Sequence, residues 1–137
     1  MTRAATLVRR AGVALGSLAL ITLPTAEAAA VTANPPGVYV LNDAAEWGPS
    51  CGYGWFCVFN GGNKNLSSFA VLPGTDVPDI NALKLPSGRS FDTVGAYTNN
   101  GAVRYCGYSE RNYGGTEVIL NPVTNGDHLA LKSFRGC

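Results

Sequence analysis

A chain of 137 residues, 46% hydrophobic and 14% charged, has room for one domain built around one core. Its formal net charge of +1 supplies no basic excess, which argues against nucleic acid or an anionic membrane surface as a partner. Seventeen glycines and eight prolines imply a chain broken often by turns.

The first element reads as a leader. Arg3, Arg9 and Arg10 give a positive front, and Ala11 to Leu23 is an uncharged, mostly apolar run. Small residues follow, with A-x-A matches at Ala26–Ala28 and Ala28–Ala30. This is the layout of a secretory signal peptide over residues 1–30, cut after Ala28 or Ala30. The apolar run is too short for a bilayer, which needs roughly 20 residues. Its loss removes three arginines and Glu27, leaving seven basic and eight acidic groups, a net charge of −1. The remainder is expected to be extracellular and to have no membrane attachment.

Residues 31–49 read as an N-terminal linker. Asn34-Pro35-Pro36-Gly37 is a turn or polyproline piece, Val38 to Leu41 a short strand or a tail, and Ala44 to Trp47 one helical turn stopped by Gly48-Pro49. From residue 50 onward strands and turns alternate. Trp55 to Phe59 is rich in aromatic and β-branched residues, and Asn60-Gly61-Gly62-Asn63 has turn chemistry. Phe69 to Leu72 is a strand candidate closed by Pro73-Gly74. Leu83 and Leu85 precede the turn Pro86-Ser87-Gly88, and Ser90 to Val94 is a further candidate. Asn99-Asn100-Gly101 predicts a hairpin between Ala96–Thr98 and Val103–Tyr108. Thr116 to Leu120 and Leu129 to Phe134 complete the set, and Asn125-Gly126-Asp127 reads as a turn. No long stretch carries a helical period. The fold class predicted is all-β, a sandwich or barrel, over residues 50–137.

The four cysteines, Cys51, Cys57, Cys106 and Cys137, all follow the leader. An even number in a small secreted domain implies disulfides. Three pairings are open. Proximity favours Cys51–Cys57, with Gly52, Tyr53 and Gly54 suited to a tight turn between them, and Cys106–Cys137 then follows.

Two halves repeat an order of features. Cys57-Val58-Phe59, a Gly/Asn turn, Phe69–Leu72 and Arg89-Ser90-Phe91 are matched by Cys106-Gly107-Tyr108, a turn, Glu117–Leu120 and Lys132-Ser133-Phe134. Two stacked Greek keys, each burying its apolar face on the other, account for such a repeat. Tyr108-Ser-Glu-Arg-Asn-Tyr113-Gly-Gly115, an aromatic, four residues, an aromatic, one residue and a glycine, resembles the first hairpin of a βγ-crystallin Greek key. The resemblance implies that Tyr108 packs over a folded hairpin, that Gly115 takes a backbone conformation closed to other residues, and that Ser133 is the late serine of the motif. In the first half Lys64 and Leu66 replace the second aromatic and the glycine, so an irregular hairpin is expected there. Together with the leader, Cys51-Gly-Tyr-Gly-Trp-Phe-Cys57-Val-Phe59 and Lys84-Leu-Pro-Ser-Gly-Arg-Ser-Phe91 resemble peptidase inhibitor family I36, secreted bacterial proteins with a two-motif crystallin-like barrel. The resemblance covers roughly residues 50–134. It implies a partner: an extracellular protease, of the metalloproteinase class.

Little in the sequence points to catalysis. His128, the single histidine, follows a turn, and no nucleophile elbow surrounds any serine. Asp76, Asp79 and Asp92 lie at turns, where aspartate closes local backbone. Crystallin-like domains often hold calcium through paired Asn/Asp residues and a late serine pair. Here Lys84 to Ser90 and Leu129 to Ser133 offer no adjacent oxygen ligands, while Lys84, Arg89 and Lys132 bring positive charge, so neither calcium nor any cofactor is expected.

An inhibitor needs a rigid loop that loses little entropy on docking. In the metalloproteinase-inhibiting member of the family that loop lies in the second half beside closely spaced cysteines. Cys106 has no such neighbour. The candidates are Gly52, Tyr53, Gly54, Trp55 and Phe56, stapled by Cys51 and Cys57, and a second loop containing Tyr108, Glu110, Arg111 and Tyr113. Trp55 and Phe56 are either an exposed apolar anchor or core. The expectation is a monomeric, disulfide-stapled inhibitor, with a non-inhibitory module that binds cell wall, glycan or protein as the alternative.

Overall fold

Phe56-Cys57-Val58-Phe59 alternates between two faces, as a strand must, yet both faces are apolar. Phe56 and Val58 enter the main core, whereas Cys57 and Phe59 enter a smaller cluster with Ala70 and Ala96. A strand covered on both faces belongs in the middle of its sheet, and β2 (Phe56–Asn60) is the central one of five. The computed structural model describes residues 34–43, 50–61 and 67–137. The leader, the turn expected at Ala44–Trp47, Gly48-Pro49, and Gly62 to Leu66 of the first hairpin lie outside the described residues.

The first sheet joins β1 (Val38–Asn42), β3 (Ser68–Val71), β2, β4 (Val94–Asn99) and β7 (Thr124–Gly126) in the order β1-β3-β2-β4-β7, all antiparallel. The second has the order β6-β5-β8, from β6 (Glu117–Leu120), β5 (Tyr105–Tyr108) and β8 (Ser133–Gly136). A bridge from Val77 to Phe134 extends it beyond β8. The chain is therefore two interlocked Greek keys. In the first, β2 and β3 are followed by the Val77 segment, which crosses to the second sheet before β4 returns beside β2. In the second, β5 and β6 are followed by β7, which crosses to the first sheet before β8 returns beside β5. Each key completes the other's sheet, which agrees with the all-β, two-Greek-key arrangement read from the repeat.

The two sheets meet through aromatic rings. Tyr105 stacks on Phe56 with centroids 4.1 Å apart, and Phe134 packs edge-on to both, at 5.9 and 5.3 Å. Such pairs add about 0.5–1.5 kcal/mol each beyond the area they bury. The Tyr105 hydroxyl donates to the Leu72 carbonyl and accepts from the Gly74 amide, both at 2.9 Å. Both disulfides form as proximity suggested, Cys51–Cys57 and Cys106–Cys137. Cys57 and Cys106 hold corresponding places, in the first strand of each key.

Several expectations change. No hairpin forms at Asn99-Asn100-Gly101, because β4 and β5 belong to different sheets. The Asn99 side chain is fully buried, accepts from the Gly101 amide at 3.1 Å, and donates to the Val103 and Leu120 carbonyls at 2.9 and 3.2 Å. These bonds satisfy a buried amide only if the chain crosses from one sheet to the other there. Ser90 to Thr93 is not strand; the Ser90 hydroxyl instead donates to the Asp92 carboxylate at 2.9 Å. Leu129 to Lys132 contributes a single bridge, Leu131 to Val94, before β8 begins. Asn125-Gly126, expected in a turn, lies in β7. Within the stretch read as a linker, Val38–Asn42 is an edge strand on β3. Asn34 ties the start of that segment down: its side chain exchanges bonds of 3.0 and 2.7 Å with the Lys84 main chain.

Candidate docking site

Between Cys51 and Cys57 the chain turns back at Gly52-Tyr53-Gly54-Trp55, where the Trp55 amide donates to the Gly52 carbonyl at 3.3 Å. Gly54 has φ +85°, the left-handed value that the third position of this turn requires and that glycine adopts without strain. The disulfide closes the loop at its base. Asn100 closes it from the side: its amide donates to the Trp55 carbonyl at 2.8 Å, its carbonyl accepts from the Gly54 amide at 2.9 Å, and its side chain donates to the Cys51 carbonyl at 2.8 Å. Trp55, half-buried, packs edge-on against Tyr39 with centroids 5.7 Å apart.

The loop splits the sequence candidates. Phe56, 1% exposed, belongs to the core and leaves the contact set. Tyr53 stands at the tip, 97% exposed. It lines a shallow cleft of about 280 Å³ with Pro73, Ala102, Val123 and the Asn100-Gly101 turn. Val123 was not legible as a site residue. It is 81% exposed and held at φ +56°, a conformation that costs a β-branched residue on the order of 1–3 kcal/mol. Asn121-Pro122 has turn chemistry, but nothing in the sequence shows that the turn lies beside Tyr53.

The second candidate loop is folded onto the domain. Tyr108 is buried, with Tyr113 edge-on to it at 5.8 Å. The Arg135 guanidinium lies over both rings, at 5.5 and 5.1 Å, and its Nε donates to the Tyr108 hydroxyl at 3.1 Å. Burial raises the Tyr113 hydroxyl above its ordinary pKa. Ser133 Oγ donates to the Glu110 carbonyl at 2.6 Å and accepts from the Tyr113 amide at 3.0 Å. Ser133, placed by the resemblance as the late serine of the motif, thus ties down the hairpin, and Gly115 has the positive φ, +75°, that the resemblance implied. Of the four candidates in this loop Glu110 and Arg111 are exposed, and Arg111 pairs with Asp79 at 3.3 Å.

The aspartates read at turns make structural hydrogen bonds. Asp79 caps the 3₁₀ turn Ile80–Ala82 by accepting from the Asn81 amide at 2.9 Å, and Asp76 accepts from the Gly136 amide at 3.0 Å. His128 is exposed at φ +57°, 3.8 Å from Asp127. Lys132 Nζ donates to the Asp92 carbonyl and to Thr93 Oγ1. Among the described residues no group of three or more His, Cys, Asp or Glu side chains is placed to hold a metal.

Fold and disulfides together define a disulfide-stapled all-β domain of two interlocked Greek keys. Two disulfides fit an oxidising compartment, and no helix among the described residues is long and apolar enough to cross a membrane. No family model matches the chain, and no curated protein matches it. A solved structure described as "Evolution of the eye lens beta-gamma-crystallin domain fold" is similar to 73% of this chain and 94% of its own, with a TM-score of 0.49 and 13% identity.

Proposed function

We propose that the chain is a secreted inhibitor of an extracellular protease, of the metalloproteinase class, that acts by docking the Tyr53 loop without chemistry of its own. The observation that carries this reading is the pairing of full exposure with full restraint. Tyr53 is 97% exposed, while the backbone on both sides of it is tied by a disulfide and by Asn100. Fixing a loose residue costs about 1–2 kcal/mol, so a loop already fixed keeps most of its contact energy as affinity. A tyrosine beside an apolar cleft is the type of side chain that anchors protein interfaces. The resemblance to family I36 supplies the partner class.

The test is a titration of residues 31–137, oxidised, against a thermolysin-type metalloproteinase, with a serine protease alongside. Activity falling linearly to an equivalence point supports inhibition. Unchanged activity at large molar excess rejects it and puts a non-inhibitory binding module in its place.

A further inference from the structure

We infer that Asn100 is a positioning residue: its hydrogen bonds hold the Tyr53 turn closed, and without its side-chain bond the loop becomes a protease substrate. The inference rests on the docking reading above for its significance, but its geometry stands alone. A protease needs its substrate drawn out as an extended strand across the cleavage site. The bond between Tyr53 and Gly54 sits instead at the centre of a tight turn. Drawing it out requires the Gly54 amide to leave the Asn100 carbonyl and the Cys51 carbonyl to leave the Asn100 side chain.

Asn100 holds both arms of the loop at once, Cys51 before Tyr53, and Gly54 and Trp55 after it. Its own place is fixed by its neighbours. The Asn99 side chain beneath it is buried and bonded to Val103 and Leu120. Gly101 allows the close approach, because a Cβ there would lie 3.3 Å from the Gly54 carbonyl oxygen. The loop and the turn thus form one unit in which a single side chain spans the gap to Cys51. The disulfide holds the base of the loop but leaves the tip free to unfold, so a staple alone does not keep the Tyr53–Gly54 bond out of an active site.

Chymotrypsin, which cuts after aromatic residues, reports opening directly. Hydrolysis adds one water across the Tyr53–Gly54 bond, and the two ends stay joined through Cys51–Cys57, so the product appears as one added water in the non-reduced mass and as two peptides after reduction. When opening and closing are fast, the cutting rate follows the population of the open loop. Asn100→Ala removes the side-chain bond and keeps both main-chain bonds. Asn100→Asp keeps the shape and removes the donor. Both variants are expected to be cut at Tyr53 about threefold to tenfold faster than the wild type, the range for one net hydrogen bond, with no comparable rise at other bonds.

Equal rates in wild type and variants overturn the inference. So does a rise shared by all cleavage sites, which would make Asn100 a support of the whole fold. Should neither variant fold, amide exchange on the wild type decides: the Gly54 amide must exchange far more slowly than the exposed Tyr53 amide, and equal rates overturn the inference. None of these readings depends on the chain inhibiting anything, so failed inhibition and failed positioning remain distinct.

Discussion

Gly115→Ala separates two costs that glycine positions usually combine. Gly115 has φ +75°, and a Cβ built there would lie 2.3 Å from Ser109 Oγ and 3.0 Å from Glu110 Cγ. Gly88 has φ +77° with nothing within 4 Å of its Cβ position. The left-handed conformation costs an alanine about 1–2 kcal/mol, partly offset by about 0.4–1 kcal/mol from the stiffer unfolded chain. Gly88→Ala therefore loses about 1 kcal/mol. Gly115→Ala carries that loss and must also displace Ser109 Oγ, which accepts from the Thr116 amide at 2.8 Å. Losing that bond costs about 0.5–1.5 kcal/mol, and the displaced hairpin adds strain, giving about 2–4 kcal/mol in all. Urea unfolding of the oxidised chain measures both, with the same slope expected for each variant. Equal losses at the two positions would refute the steric account of the folded hairpin.

Burial raises the pKa of the Tyr105 hydroxyl above its ordinary value of about 10. The native state then binds that proton more tightly than the unfolded chain does, so this stabilisation is complete below about pH 10 and is lost as pH rises further. Denaturation midpoints should fall in that alkaline window, and Tyr105→Phe should flatten the fall while lowering stability at neutral pH by about 1–3 kcal/mol, because the Leu72 carbonyl and Gly74 amide lose their buried partner. Lys132→Met removes the donors to Asp92 and Thr93 and should cost about 1–2 kcal/mol. Added calcium should leave the wild-type Tm unchanged, and a calcium-dependent rise would show that the ammonium does not replace a cation. Non-reducing peptide mapping should recover Cys51–Cys57 and Cys106–Cys137 only; a link from Cys51 to Cys106 or Cys137 would contradict the paired-key topology.

Local chemistry made most of the fold legible. Phe56 to Phe59, Phe69 to Val71 and Glu117 to Leu120 are short runs of strand-forming residues bounded by turns, and each became a strand within a residue or two of its expected limits. The folded hairpin of Tyr108, Tyr113, Gly115 and Ser133 was legible through its resemblance to a Greek-key motif rather than through local propensity. What the sequence hid is long-range. Asn125 and Gly126 are poor strand formers; the segment pairs because the crossing of the second key carries it beside β4. Asn99-Asn100-Gly101 has hairpin chemistry, yet the burial of Asn99 turns it into a crossover. The same holds at the site. Tyr53 was named from the cysteine spacing, whereas its companions Pro73, Ala102 and Val123 come from three other turns that only the closed fold brings together.

The most direct test compares the wild type with Tyr53→Ala in one titration against the metalloproteinase. Tyr53 makes no core contact, so the variant should keep the wild-type unfolding midpoint to within about 0.5 kcal/mol. As the anchor of the docking loop it should lose at least about 2 kcal/mol of binding, roughly thirtyfold in affinity. A sharp equivalence point for the wild type and a shallow, right-shifted curve for Tyr53→Ala is the predicted result. Superimposable curves would remove this loop from the interface, and a wild type that leaves the enzyme fully active would contradict the inhibitory role itself.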